Sequence, residues 1–291
     1  MQVEPRTLDA VVADLTVIVD DARRRHSCTG LFASMYRSVT SEIRATVRRG
    51  GFFTNDERME QLAVVFADRY IDAYHGYRAG RPTTESWRLA FDYAEAARRR
   101  MILQHLLLGM NAHINLDLGI ATAEVVPEDL PTVYEDFLRI NEILFQMVDD
   151  LQANLGAVSP RMSWFDRMGV GADEAFMRLG IRTARDMAWR LAEHIVETDP
   201  LYRAEVIDER DRDTAQLARA IAGRWSPVHL AGWFVAGAER DEVETAIDSF
   251  ATLTVDLNRV EHHFTAGFSR QSPPTHRLSE VVGERRTGGM R

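Results

Sequence analysis

The sequence predicts an all-α protein. It predicts a single domain of about nine or ten helices over residues 1–268, built around a buried central helix at 101–120 and followed by a disordered tail at 269–291. Three observations carry this. Apolar residues recur at helical spacing through nearly the whole chain. No alternating run or hairpin turn signal interrupts them. One segment, Met101–Ile120, is apolar on almost every side, as befits the helix at the centre of a domain. The composition, 45% hydrophobic and 27% charged, is that of an ordinary globular chain with enough apolar surface for a core.

Taken in order, Thr7–Arg25 reads as an amphipathic helix and Leu31–Arg49 as a second, closed by Gly50-Gly51. Thr54/Asn55 can cap a third helix that runs to Gly80, where Pro82 enforces the stop. Thr84 caps the next, with Glu85 and Trp87 in its first turn, and helical pattern continues to about Val125. That is too long for one helix on base rates, so a break is expected near Arg98–Met101 or at Gly109. Pro127 opens a helix ending near Gly156, with the stripe Val133, Phe137, Ile140, Leu144, Met147 and Leu151. A looser stretch, Val158–Gly180, precedes a helix over Ile181–Glu197, and two or three more follow, the last at about Asp241–Phe268. The tail holds Pro273-Pro274, Gly288-Gly289 and scattered arginines, the composition of a disordered segment.

Composition also removes reaction classes. All 35 basic residues are arginine, against 44 acidic residues, for a net charge of −9. Without lysine there is no Schiff base, no phosphate loop of the Walker A type and no kinase β3 lysine, so no nucleotide, pyridoxal phosphate or flavin cofactor is expected. Acidity argues against nucleic acid as a partner. One cysteine excludes a disulfide framework, and no apolar run is long enough to span a membrane. The N-terminus carries Glu4, Asp9 and Asp14 where a signal peptide needs positive charge, so a cytoplasmic location in a bacterial cell is expected. A small-molecule substrate and a possible homo-oligomer complete the expected partners.

The central segment, MILQHLLLGMNAHINLDLGI, carries the chemistry. His105, Gly109, His113 and Asp117 form one i, i+4 row, each step advancing about 40° around the helix. Two imidazoles and a carboxylate thus share roughly a third of an apolar helix, with Gly109 leaving room between them. The His113-x-x-x-Asp117 spacing lets both side chains reach one metal ion. Burying such groups is costly unless they are paired or coordinated. The row is therefore either a metal or catalytic site, or a hydrogen-bond network that satisfies itself. Gln104, Asn111 and Asn115 make a separate amide stripe, of the kind that bridges neighbouring helices.

Residues of about 30–200 resemble an uncharacterised bacterial family, a domain of unknown function, through LFASMYRSVTSEI, VVFADRYIDAYHGYRAGRP, SWRLAF, LQHLLLGMNAHINLDLGIA, DFLRINEIL and IRTARDMAWRLAE. More weakly, the His113–Asp117 spacing is similar to a ligand pair of zinc-dependent phospholipase C and the related single-strand nucleases, all-helical enzymes that cluster zinc ions and hydrolyse phosphoesters. That resemblance implies that His113 and Asp117 are metal ligands. The chain departs from it: Leu108-Gly109 precedes both residues instead of lying between them, Ala123 stands where a further His is required, and His194 and Glu197 have the wrong spacing for the downstream pair.

The partners of the central helix come from its neighbours. Asp136 and Asn141 fall beside the apolar stripe of the helix opened by Pro127. Arg185 lies on the stripe Ile181, Ala184, Ala188, Ala192, Ile195, with Trp189 one turn on; it needs Asp117, Asp136 or an anionic substrate. Asp72 is a second-carboxylate candidate, although Asp68, Asp72 and His75 sit opposite the apolar face of their helix. His26 with Cys28, the pair His262-His263 and the string FQMVDDLQ, which resembles a motif of isoprenyl diphosphate synthases, are set aside as coincidences of local sequence.

The leading expectation is a metal-dependent hydrolase for a small ester or phosphoester. His105, His113 and Asp117 would hold a divalent metal, most plausibly zinc; Asp72 or Asp136 would act as base; Arg185, Asn141 and Trp189 would bind substrate. A metal-free helical pocket that binds, cyclises or rearranges an apolar small molecule is the first alternative. A non-catalytic structural or interaction protein is the second.

Overall fold

The computed structural model describes residues 6–96, 102–140, 143, 172–223 and 243–253, and every regular element among them is helical. Helix α1 (Leu8–Arg24) starts at Thr7, whose hydroxyl accepts the Ala10 amide, and buries Leu8, Val11, Leu15, Ile18 and Val19 against α2 (Thr29–Arg49). Gly50 ends α2 at a φ of +72°, a conformation natural to glycine alone. Helix α3 (Asp56–Arg78) is capped by Asn55, whose carbonyl oxygen accepts the Arg58 amide at 2.9 Å. Helix α4 (Glu85–Glu95) begins after Thr84, but the Thr84 side chain makes no capping bond. The cap is supplied from far along the chain: the Asp211 carboxylate accepts the Glu85 and Ser86 amides at 2.6 and 3.0 Å.

The central stretch comprises α5 (Ile102–Ala112), a π-helical turn at His113–Asp117 and α6 (Leu118–Val125). The Leu118 amide bonds to the His113 carbonyl, the i+5 pattern of a π turn. After a short 3-10 turn, Leu130–Val133, residues 134–140 are again helical. Helix α7 (Ala172–Glu197) packs along α6, α8 (Arg203–Ala222) along α4 and α5, and α9 (Val243–Phe250) along α2.

The core has two apolar clusters. The larger joins α1 to α5 with α9; the smaller joins α6, residues 130–138 and α7, and Phe66 and Val125 touch both. The π turn lies where the central stretch passes from one cluster to the other.

Several boundaries differ from expectation. The interruption after α4 falls at Ala96, whereas Gly109 lies inside α5. Helix α7 begins at Ala172, so much of the stretch read as loose is helical. Pro127 does not open a helix; residues 126–129 are irregular and Pro131 lies in the 3-10 turn that follows. The last helix ends at Phe250, where Ala251 and Thr252 turn, instead of running on through 253. Asn141, Gln146, Asp149, His262-His263, Arg98–Met101 and the tail at 269–291 lie outside the described residues.

Candidate functional site

Asp117 is the hub of the buried polar groups. Its Oδ1 accepts Arg69 Nε at 3.1 Å from α3, and its Oδ2 accepts Trp87 Nε1 at 2.8 Å from the first turn of α4. His113 Nδ1 lies 3.1 Å from the same Oδ2. A carboxylate only accepts, so Nδ1 carries the hydrogen and the neutral ring keeps its lone pair on Nε2. The exposure of Asp117 is 1% and that of His113 is 2%. Burial draws the His113 pKa below its ordinary value, with the Asp117 hydrogen bond opposing, so the ring is neutral at physiological pH.

Around this dyad the two apolar clusters close an aromatic cage. Phe66 stacks on the His113 ring with centroids 3.6 Å apart and 9° between planes. Tyr36 meets it edge-on at 4.4 Å, and Phe32, Trp87 and Tyr70 stand at 5.8, 6.0 and 6.2 Å. Burial raises the phenol pKa of Tyr36 and Tyr70, with the Asp117 charge adding to it at Tyr36, so both remain protonated. Two polar atoms of this cage have no hydrogen-bond partner: His113 Nε2 and Tyr70 Oη. Native interiors seldom leave such atoms unmatched, and unmatched ones concentrate at functional sites.

The π turn is what sequence periodicity could not show. One extra residue per turn shifts the phase of everything beyond it by about 100°, so α5 and α6 direct their faces differently. π turns of this kind recur at functional sites.

The structure brings His113 and Asp117 together and leaves the other predicted site residues elsewhere. His105, two turns earlier on α5, is displaced by about 12 Å along the axis and packs on Tyr93 with centroids 5.0 Å apart. It shares the row but not the site. The room at Gly109 is taken by Phe32, whose ring lies 2.5 Å from where a Cβ would stand. Asp72 is exposed on the outer face of α3, as is His75, and Asp68 pairs with Arg6 at 2.6 Å. Asp136 is buried, but both its oxygens accept backbone amides, Thr54 at 2.7 Å and Asn55 at 3.1 Å, so it anchors the start of α3 instead of acting as a base. Trp189 is buried against Tyr134 and Phe137, with Nε1 donating to Glu193 at 2.9 Å, a packing position.

Arg185 is 1% exposed and pairs with neither Asp117 nor Asp136; its Nε and Nη1 have no partner among the described residues. It also stands apart from the dyad. Gly119 of α6 lies against Ala188 and Leu191 of α7. Asn115, earlier in the central stretch, accepts from Arg210 Nε at 2.7 Å, and Arg210 lines a groove of about 330 Å³ with Leu191 and His194. The two helices therefore run antiparallel, and Arg185 faces the Thr122–Val125 end of α6, away from His113.

The residues present do not fit a divalent metal as arranged. Among the described residues no three or more His, Cys, Asp and Glu side chains converge closely enough to hold one. At Asp117 the positions a cation would take are filled by N–H donors, one from a guanidinium. The amide stripe does bridge helices: Gln104 donates to the Ile221 carbonyl at 3.0 Å and Asn111 to that of Thr214 at 2.9 Å, both on α8, while Asn115 donates to Asn111.

Sequence reading missed Arg69, Phe32, Tyr36, Phe66, Tyr70 and Trp87 as members of the site. A signal existed for Arg69, which lies three residues after Phe66 and seven after Leu62, at the edge of the apolar stripe of α3.

Fold and site together define an all-helical protein with a buried histidine–carboxylate dyad at a π turn. Residues 8–224 match a family of unknown function (DUF5995), and the chain belongs to that family. No curated protein and no solved structure matches the chain. Among the described residues no helix is long and apolar enough to cross a membrane.

Proposed function

We propose that this protein is a hydrolase-like enzyme that acts on a small, mainly apolar ester through acid–base chemistry at the His113–Asp117 dyad. The observation that carries the reading is the pair of unmatched buried atoms in one aromatic cage, His113 Nε2 as acceptor and Tyr70 Oη as donor. Asp117 accepts the Nδ1 hydrogen and fixes the tautomer that leaves Nε2 free. Nε2 takes a proton from water as the water oxygen attacks the ester carbonyl, and Tyr70 donates a hydrogen bond to the oxyanion. Collapse of the intermediate breaks the bond to the leaving oxygen, which receives the proton back from His113. The depressed pKa of His113 keeps the base form populated at neutral pH.

Hydrolysis of 4-nitrophenyl acetate and butyrate, with 4-nitrophenyl phosphate as the charged counterpart, tests this. The wild type is expected to cleave the acyl esters with a pH profile rising through one group titrating below 6.5, the ordinary value for histidine. His113→Gln loses the reaction while its helical circular dichroism is kept, and Tyr70→Phe loses about 100-fold or more of the rate. Ester cleavage that survives in folded His113→Gln would refute the assignment. A second reading has its own support, because Asp117 ties α3, α4 and the π turn together through Arg69, Trp87 and His113. On that reading the dyad only fixes helix packing, and His113→Gln lowers stability with no hydrolysis to lose.

A further inference from the structure

We infer that Arg185 is the anchor of a second buried site, separate from the dyad, that binds the carboxylate of a small apolar acid at the packed faces of α6 and α7. The guanidinium is fully enclosed, yet its Nε and Nη1 hydrogens meet no acceptor. A buried cation without a partner costs several kcal/mol, so an ordinary core would have replaced it with an apolar side chain.

The described carboxylates are accounted for elsewhere. Asp117 is bound to Arg69 and Trp87, Asp136 to the start of α3, and Glu124 and Asp186 are exposed. Desolvation is also the sole cause drawing the Arg185 pKa down, to about 9, with no neighbouring charge contributing. The group therefore remains a cation at neutral pH and its field is uncompensated.

The surroundings select the ligand class. Arg185 lies on the α7 face that carries Ala188, Ala192 and Ile195, in the cluster with Leu116, Leu118 and Ile120 of the central stretch. Arg182 and Arg190, its nearest basic neighbours on α7, are exposed. One buried positive charge in apolar walls balances one negative charge. A carboxylate with an alkyl or aryl body fits that balance, whereas a phosphate dianion leaves a second charge buried without a partner.

The test is calorimetric titration and thermal denaturation of the full chain with sodium hexanoate, with inorganic phosphate and sodium chloride at matched ionic strength. Hexanoate is expected to bind and raise the Tm of the wild type in a concentration-dependent way, and phosphate and chloride are not. Arg185→Met is expected to stay folded, to be more thermostable than the wild type without ligand, and to bind hexanoate about 100-fold or more weakly. Arg185→Lys keeps the charge without the planar fork and falls between them. The inference is overturned if hexanoate binds neither wild type nor Arg185→Lys, if Arg185→Met binds it as well as the wild type, or if Arg185→Met is strongly destabilised without ligand. A phosphate response equal to that of hexanoate overturns the ligand class. His113→Gln should bind hexanoate normally, so loss of ester cleavage and loss of acid binding report on different sites.

Discussion

Asp117 shows how one side chain can hold three helices. Its two oxygens accept from Arg69, Trp87 and His113, and almost none of its surface meets water. The three bonds differ in what their loss leaves behind. Trp87→Phe keeps the ring packing on Phe91 and Tyr70 and removes one neutral donor, so it should cost about 1–3 kcal/mol. Asp117→Asn removes the charge opposite a guanidinium whose side chain is 25% exposed. Water relieves part of that loss, which sets the expectation at about 3 kcal/mol, the low end for breaking a buried pair. Urea denaturation of the two variants measures both values, and the order Asp117→Asn worse than Trp87→Phe is the outcome that matters. At this scale the sequence announced half of the site. The His113-x-x-x-Asp117 spacing on an apolar helix was readable, because i, i+4 neighbours meet whatever the tertiary fold. Arg69 and Trp87 were not, since nothing local indicates which helix will bring its donor to a given carboxylate.

At the scale of elements, close approach and phase decide the architecture. A Cβ at Gly119 would stand 2.7 Å from the Ala188 carbonyl oxygen and 2.9 Å from Leu191 Cβ. Backbone cannot swing aside, so Gly119→Ala must push α6 and α7 apart, and we expect a loss of about 1–3 kcal/mol or more in chemical denaturation. Gly109→Ala meets a ring instead: its Cβ would lie 2.5 Å from Phe32 Cδ2 and 3.1 Å from Phe32 Cβ. Phe32 stands edge-on to both Tyr70 and His113. The Gly109 variant should therefore disturb the aromatic cage, read as a changed near-ultraviolet circular dichroism with helix content preserved. Helix identity was legible from apolar periodicity, and the caps at Thr7 and Asn55 from residue type. The π turn was invisible because it leaves the composition of the segment unchanged and only resets the phase, so a straight-helix projection placed His105 in a row whose members end up two turns apart.

For the whole molecule, the polar groups inside the core make stability depend on pH in a definite direction. Asp136 and Asp211 each reach across the fold to accept two amides at the start of another helix, so the tertiary structure holds helix ends that local sequence leaves open. Surface arginine–carboxylate pairs such as Arg88 with Asp92 add little by comparison. His113 is the histidine whose burial matters most: its pKa in the folded state lies below the ordinary 6.5, with desolvation the larger cause and Asp117 opposing. The unfolded chain therefore takes up a proton at a higher pH than the folded one does. The stability that the neutral, buried ring secures is complete above about pH 6.5 and is lost as pH falls toward the folded-state pKa, at up to about 1.4 kcal/mol per pH unit. His113→Gln cannot titrate, so the difference in unfolding free energy between wild type and variant should shrink in that window and be flat above it. Urea denaturation of both proteins from pH 5 to pH 8 measures it. A difference that does not change with pH would mean that His113 keeps its ordinary pKa in the fold, and with it that the cage does not exclude water from the imidazole.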